Sequence, residues 1–271
     1  MGKTILITGA SSGIGRSTAL LFQSKGWNVI ATMRNPEKEE ELTKLENVLV
    51  TRLDVQDLES INDAVSKGLE RFNKIDVLLN NAGYGAYGIL EATPREKIER
   101  QFGVNVMGLY DVTKALIPHF RENKDGVIIN ISSIGGKMTF PMGSLYHGTK
   151  FAVEGISESL YFELGLFGVK VKIVEPGMVN TDFGGRSFDF TNDESLTEYQ
   201  GLVSKLYSVL AAEDLYRSEP NAIADVIYTA ATDGKDQLRY EAGPDAVEII
   251  GNRRDNTDEA IIAHTKKTFD L

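Results

Sequence analysis

Thr8-Gly9-Ala10-Ser11-Ser12-Gly13-Ile14-Gly15 follows the apolar run at 4–8 (TILIT) and opens a segment, 14–25, with apolar residues at three- and four-residue spacing. Strand, glycine-rich turn and helix in that order decide the fold. The turn must leave the strand tightly, bring backbone close to a ligand and pack the helix against the sheet. Each demand is met by a missing side chain. The helix start then offers free N–H groups and a positive dipole end, which suit a pyrophosphate. Such turns occur in many loops. Its position between the first strand and first helix of an alternating chain makes this one a dinucleotide-binding signal.

The alternation continues outward from the turn. Buried-strand patterns recur at 28–32, 48–53, 75–80, 127–131 and 169–175, and helical patterns lie between them at 58–72, 97–120 and 146–167. Apolar strands separated by helices imply a parallel sheet covered on both faces. Right-handed crossovers make it an α/β, Rossmann-type doubly wound fold of about seven strands. No linker or repeat divides residues 1–271, so one domain is expected. Within it, residues of about 182–220 carry scattered aromatics (Phe183, Phe188, Phe190, Tyr199, Tyr207, Tyr216) and are expected to form a substrate lid. A last strand near 237–240 precedes a C-terminal extension of about 244–271, where Pro244-Asp245-Ala246 can start a helix.

Composition narrows the chemistry. There is no cysteine, which excludes disulfides and thiolate ligands, and the three histidines (His119, His147, His264) have no metal-ligand spacing, so no metal is expected. A formal charge of −10 argues against nucleic-acid partners. No signal peptide or membrane-spanning run is evident, and the expected location is cytoplasmic. Redox work would fall to an organic cofactor.

Two readings concern that work. The second strand ends in Ala31-Thr32-Met33-Arg34-Asn35, without the acid that would grip a ribose diol. Arg34 is suited instead to a 2′-phosphate, pointing to NADP(H), with Arg16 as a candidate second cation. Tyr146 and Lys150, four apart at a helix start, share a face. An ammonium there is expected to lower the phenol from its usual pKa near ~10, fitting it for proton transfer. Tyr110 and Lys114 repeat the spacing mid-helix, where packing is the expected role. The strand ending in Asn130-Ile131-Ser132-Ser133 places a hydroxyl at the crevice mouth, and alternation turns Ser132 and Ser133 to opposite sides.

The turn's spacing, G-x-x-x-G-x-G, resembles the cofactor signature of the short-chain dehydrogenase/reductase family, and further matches run in order to about Thr181. Single-domain members acting on hydroxysteroids, retinol and other carbonyls are the resemblance in view. It implies cofactor contacts at Gly9, Ser11, Ser12, Gly13, Ile14 and Gly15, and an adenine contact at Asp54. Asn80-Asn81-Ala82-Gly83 resembles the family's NNAG, implying contacts at Asn81, Ala82 and Gly83. Pro176-Gly177-Met178-Val179-Asn180-Thr181 resembles its PG loop, implying Pro176, Gly177, Val179 and Thr181, the last on the carboxamide. Ser133 stands at the family's interval of thirteen before Tyr146, and Asn105 matches the asparagine that completes a catalytic tetrad with Tyr146 and Lys150.

The implied activity is NADP(H)-dependent interconversion of a carbonyl and an alcohol. Ser133 would orient the carbonyl, Tyr146 supply the proton, Lys150 hold the nicotinamide ribose, and Asn105 support a proton relay. Tyr84, Tyr87, Ile134, Phe140 and Met142 are expected to wall a pocket for a bulky apolar substrate. A homodimer or homotetramer is implied, built on the helices at 97–120 and 146–167, with the tail remodelling the second interface. A dinucleotide-binding sensor without useful turnover is the alternative, and a lyase or epimerase on the same cofactor a further one.

Overall fold

The computed structural model describes residues 2–181, 187–212 and 216–271. Phe183, expected in the lid, lies outside them. Seven strands form one wholly parallel sheet. They are β1 (Thr4–Ile7), β2 (Asn28–Met33), β3 (Val48–Arg52), β4 (Val77–Asn80), β6 (Gly126–Ile131), β7 (Val169–Pro176) and β9 (Arg239–Ala242). Their order is β3-β2-β1-β4-β6-β7-β9. The direction of winding reverses between β1 and β4, which opens a crevice at the carboxyl ends of those strands.

Strand alternation builds two cores. On one face Ile5, Ile7 and Val29 pack with Phe22 of α1 (Gly13–Ser24) and Ile223 and Ile227 of α7 (Pro220–Thr232). On the other, Leu6, Ile30, Leu78 and Ile128 meet Ile61 of α2 (Leu58–Phe72), Leu116 and Phe120 of α4 (Gly108–Asn123) and Leu164 of α5 (Ser144–Gly165). Burying side chains on both faces explains why these strands read as continuous apolar runs.

The expected helix at 97–120 is three pieces: α3 (Arg95–Phe102), a π-helical turn (Gly103–Met107) and α4. Glycines bracket the wide turn because the chain is crowded there. A Cβ on Gly103 would lie 2.7 Å from Gln56 Nε2, and one on Gly108 would lie 2.6 Å from Val55 Cβ. Two short strands not read from the sequence, β5 (Gly85–Gly88) and β8 (Phe188–Thr191), pair in parallel beside the crevice. Lys97 Nζ holds β8 through Asp189 Oδ1 (2.6 Å) and Thr191 Oγ1 (3.1 Å), and α6 (Thr197–Leu210) follows.

The C-terminal extension forms α8 (Pro244–Asp255) and α9 (Asp258–Phe269). Ala246 and Ile250 of α8 pack on Ile134 and Phe140, and Asp245 Oδ2 accepts from Met178 N at 2.6 Å. The extension therefore braces both the serine turn and the PG loop, a role not read from the sequence.

Candidate active site

Four strand ends converge at the crevice. After β1 the glycine turn follows, with Gly9 and Gly13 at φ of 71° and 54°. That left-handed region is costly for other residues. Gly15 serves a different purpose: a Cβ there would sit 2.3 Å from Gly9 O and 2.6 Å from Asn81 Nδ2. Helix α1 begins with no side-chain cap on Ser12 and no acid in its first turn, so its N-terminal N–H groups and dipole remain available to an anion. Thr181 lies directly above, its Cγ2 3.2 Å from where a Gly13 Cβ would be. Gly13, Arg16, Ser17, Asn180 and Thr181 line a cavity of about 370 Å³.

The segment after β4 fixes that turn. Asn81 Nδ2 donates to Thr8 O (2.9 Å) and Gly9 O (3.1 Å), while Thr8 Oγ1 accepts from the N–H groups of Asn81 and Ala82 (3.0 Å each). The Asn81 side chain is thus committed to the turn's carbonyls. Gly83 is exposed beside Asn105. Asp54, beyond β3, accepts from Gln56 N at 3.1 Å.

At the end of β2, Arg34 is exposed and makes no ion pair among the described residues. Arg16 differs from expectation. Its guanidinium pairs with Glu39 Oε2 (2.6 Å) and Glu41 Oε2 (2.5 Å), so it is already neutralised by protein.

Ser133 ends the β6 segment, and its Oγ accepts from Gly135 N at 3.0 Å and hydrogen-bonds Tyr146. Ser132 Oγ is turned away, buried and without a hydrogen-bond partner among the described residues. Lys150 Nζ donates to Ile131 O at 2.9 Å and lies 5.7 Å from the Tyr146 ring centre. Asn105, in the π turn, is fully engaged. Its Oδ1 accepts from Tyr84 N (3.1 Å), and its Nδ2 donates to Tyr84 O and to Thr149 Oγ1 (3.0 Å each). Thr149 Oγ1 in turn donates to Tyr146 O at 2.7 Å, which links the NNAG segment to α5.

The acidities depart from the sequence expectation. Burial pushes Tyr146 up to about 12, and the Ser133 bond offsets only part of this. Burial has lowered the lysine as well, to about 8, with Glu154 opposing the fall. Tyr146 is accordingly a firmly protonated phenol.

Tyr87 stacks on Tyr146 (centroids 5.3 Å apart) and leans on Phe188 (5.2 Å), which stacks on Phe190 (6.0 Å). This aromatic series covers the Tyr146 ring from the β5–β8 side. Ile134 and Phe140, expected as pocket walls, belong largely to the core under α8. Met142 sits in the left-handed region at φ 61° beside the site. A residue missed in the sequence is His147. It is buried, Nδ1 meets Gly135 O (3.0 Å), and Nε2 accepts from Phe140 N (3.1 Å), so one neutral tautomer staples the loop before α5. Its spacing to Tyr146 was visible, but nothing in the sequence showed which backbone it would meet. Tyr110 and Lys114 lie on the outer side of α4, exposed and apart from this group; Tyr110 does not pack in the core.

Among the described residues no group of His, Asp or Glu is placed to hold a metal, and no helix is long and apolar enough to cross a membrane. A family model described as short chain dehydrogenase matches residues 3–191. An uncharacterized oxidoreductase of Schizosaccharomyces pombe is 47% identical over 239 residues, covering 88% of this chain and 100% of its own. A 3-ketodihydrosphingosine reductase of Bacteroides thetaiotaomicron is 36% identical over 246 residues, covering 89% and 88%. The structure of a short-chain dehydrogenase from Streptomyces avermitilis superposes with a TM-score of 0.82 at 34% identity, covering 98% and 96%. Solved relatives hold NADP in some cases and NAD in others.

Proposed function

The chain belongs to the short-chain dehydrogenase family of oxidoreductases, whose members bind a nicotinamide dinucleotide, and on that premise we propose that it is an NADP(H)-dependent carbonyl reductase. The observation that carries the reading is Tyr146 itself: a buried phenol, bonded to Ser133, within one helical turn of a buried lysine, at the mouth of the glycine crevice. The cofactor fits the residues present. Gly13 leaves a cradle below Thr181 that a side chain would fill, over an uncapped helix start.

The pyrophosphate would rest on Ser11, Ser12, Ile14 and the glycines. Asp54 would meet the adenine, Ala82 and Gly83 the adenosine side, and Pro176, Gly177, Val179 and Thr181 the nicotinamide end. When bound, the cofactor supplies hydride. Ser133 Oγ orients the substrate carbonyl by donating to its oxygen. Tyr146 Oη delivers the proton to that same oxygen. A phenol held near 12 stays protonated across the neutral range, which favours carbonyl reduction over alcohol oxidation. Lys150 replaces the Tyr146 proton and holds the ribose; Asn105 keeps the Tyr84 backbone and α5 in register.

Arg34 supports the 2′-phosphate assignment, being an exposed guanidinium at the end of β2 with no ion pair among the described residues. Tyr87, stacked on Tyr146 and leaning on Phe188, supports a bulky apolar carbonyl, since a flat apolar group can replace its stacking on Tyr146. A homodimer is part of this reading: Met107, Tyr110 and Phe151 stand exposed on and beside α4 and α5. So are one domain over residues 1–271 and a cytoplasmic location. NADPH consumption across a panel of apolar ketones and aldehydes tests the proposal. Turnover on a member of that panel is the expected result. Tight NADPH binding with no turnover on any would favour the sensor alternative.

A further inference from the structure

Behind the serine turn lies a polar cluster that the reaction scheme leaves unused. Ser132 Oγ, Glu154 Oε1 and Glu175 Oε1 are each buried without a hydrogen-bond partner among the described residues. Ser132 and Glu154 crowd one glycine: a Cβ on Gly136 would lie 2.5 Å from Ser132 Oγ, 3.1 Å from Glu154 Cγ and 3.1 Å from Lys150 O. Glu154 stands four residues after Lys150, so the two share a face of α5 one turn apart. Both are more than nine-tenths buried.

Charges reach Glu154 from every neighbouring element. Arg239 of β9 donates from Nε to Glu154 Oε2 at 3.0 Å and stands 3.8 Å from Glu175 Oε1 of β7. Lys137, beyond the serine turn, places Nζ 4.0 Å from Glu154 Oε2. Glu158, on α5, shares Arg239 at 2.7 Å, and Glu241 of β9 lines the same surroundings. A cavity of about 720 Å³ opens onto Lys137, Glu175, Arg239 and Glu241, on the far side of the turn from Tyr146.

We propose that Glu154 is a positioning residue that keeps the Lys150 ammonium charged from one helical turn away. Among the described residues Lys150 has no carboxylate at hydrogen-bond distance; its Nζ is met by the Ile131 carbonyl. Burial alone disfavours its charge, and Glu154 is the group that opposes this. Glu175 does not compete as the counter-charge. Burial, and then the proximity of Glu154, push its carboxyl well above the usual carboxylate range. Arg239 Nε meets Glu154 Oε2 at 3.0 Å but Glu175 Oε1 only at 3.8 Å, so Glu154 is the better-held carboxylate of the two. Arg239 does not need Glu154 for an anion, since Glu158 already supplies one.

The inference rests on the reading of Lys150 as part of the proton-transfer site, yet its test does not depend on turnover. In chain labelled with carbon-13 at lysine Cε, the Lys150 resonance, identified by its loss in Lys150→Met, reports the protonation of Nζ directly. The expected midpoint lies near 8 in the unaltered chain. Glu154→Gln should lower it by about one pH unit, a tenfold change in the charged fraction. Glu158→Gln, which also removes an Arg239 partner, should leave it in place, and Glu154→Asp should restore most of it. An unmoved midpoint in Glu154→Gln, or an equal fall in Glu158→Gln, overturns the proposal. So does a midpoint well below neutrality in the unaltered chain, a result that needs no variant to fold. In kinetics, the alkaline limb of carbonyl reduction should move down with the midpoint. A moved midpoint with an unmoved limb would leave Glu154 in its role and count against Lys150 in the reaction.

Discussion

Replacing Asn105 with leucine isolates what the π turn contributes. The two side chains are close in volume, so the change opens no large cavity. It removes three buried hydrogen bonds, two to the Tyr84 backbone and one to Thr149 Oγ1. Each is worth about 1 kcal/mol net, and the Tyr84 N–H left without its partner costs up to about 1–3 kcal/mol more. A total loss of about 4–6 kcal/mol follows. For a chain of 271 residues, with an unfolding entropy of about 2 cal/mol/K per residue, that is a fall in Tm of about 7–11 °C. Differential scanning calorimetry reads the shift, and kcat for carbonyl reduction should drop alongside it, because Tyr84 and Tyr146 both lose their tie. A Tm within 1 °C of the parent would refute the reasoning. It would mean that the Tyr84 backbone is held by Gln101 alone, whose Nε2 also donates to Tyr84 O.

Arg34→Ala should weaken NADPH binding by about 10–100-fold, as expected for loss of a charge-assisted pair, and leave NADH almost unaffected; cofactor fluorescence titration distinguishes the two, and equal losses would discredit Arg34 as the selector. Asp245→Ala frees the Met178 N–H and should raise the KM for NADPH several-fold with a smaller effect on kcat, seen in initial rates at saturating substrate. His147 is held neutral by burial, below its ordinary 6.5. The unfolded chain therefore binds the extra proton first, so stability should decline as pH falls from about 6.5 toward the depressed folded value. His147→Gln should show a shallower loss of Tm between pH 7 and 5, and parallel curves would remove His147 as the cause.

The sheet was legible because every buried strand had to be apolar on both faces, and helix α2 matched its periodic pattern to the residue. The site was legible where function sits at strand ends and punctuates the pattern with Gly, Asn and Ser. What escaped is instructive. The π turn around Asn105 adds a residue to a helix without disturbing its apolar spacing, and only Gly103 and Gly108 hinted at it. Strands β5 and β8 are only four residues long, β5 beginning and ending in glycine and β8 lying between Ser187 and Asn192, too short for alternation to show. Lys172 sits fully buried in β7, answered by Asp233 (2.7 Å) and Tyr240 (2.8 Å), partners sixty and more residues away. Arg16 looked available for phosphate because Glu39 and Glu41 are remote in sequence and adjacent only in the fold. The acidity of Tyr146 was misread for a similar reason. Spacing shows the lysine but not the depth of burial, and burial dominates both groups.

The central claim is that the buried Tyr146 phenol is the proton donor to a carbonyl. Tyr146→Phe removes one oxygen and keeps the ring that stacks on Tyr87. The account predicts that the variant binds NADPH as the parent does and loses at least about 10²–10⁴-fold in kcat, the range for removal of a general acid. Retained binding with turnover near the parental rate would contradict it.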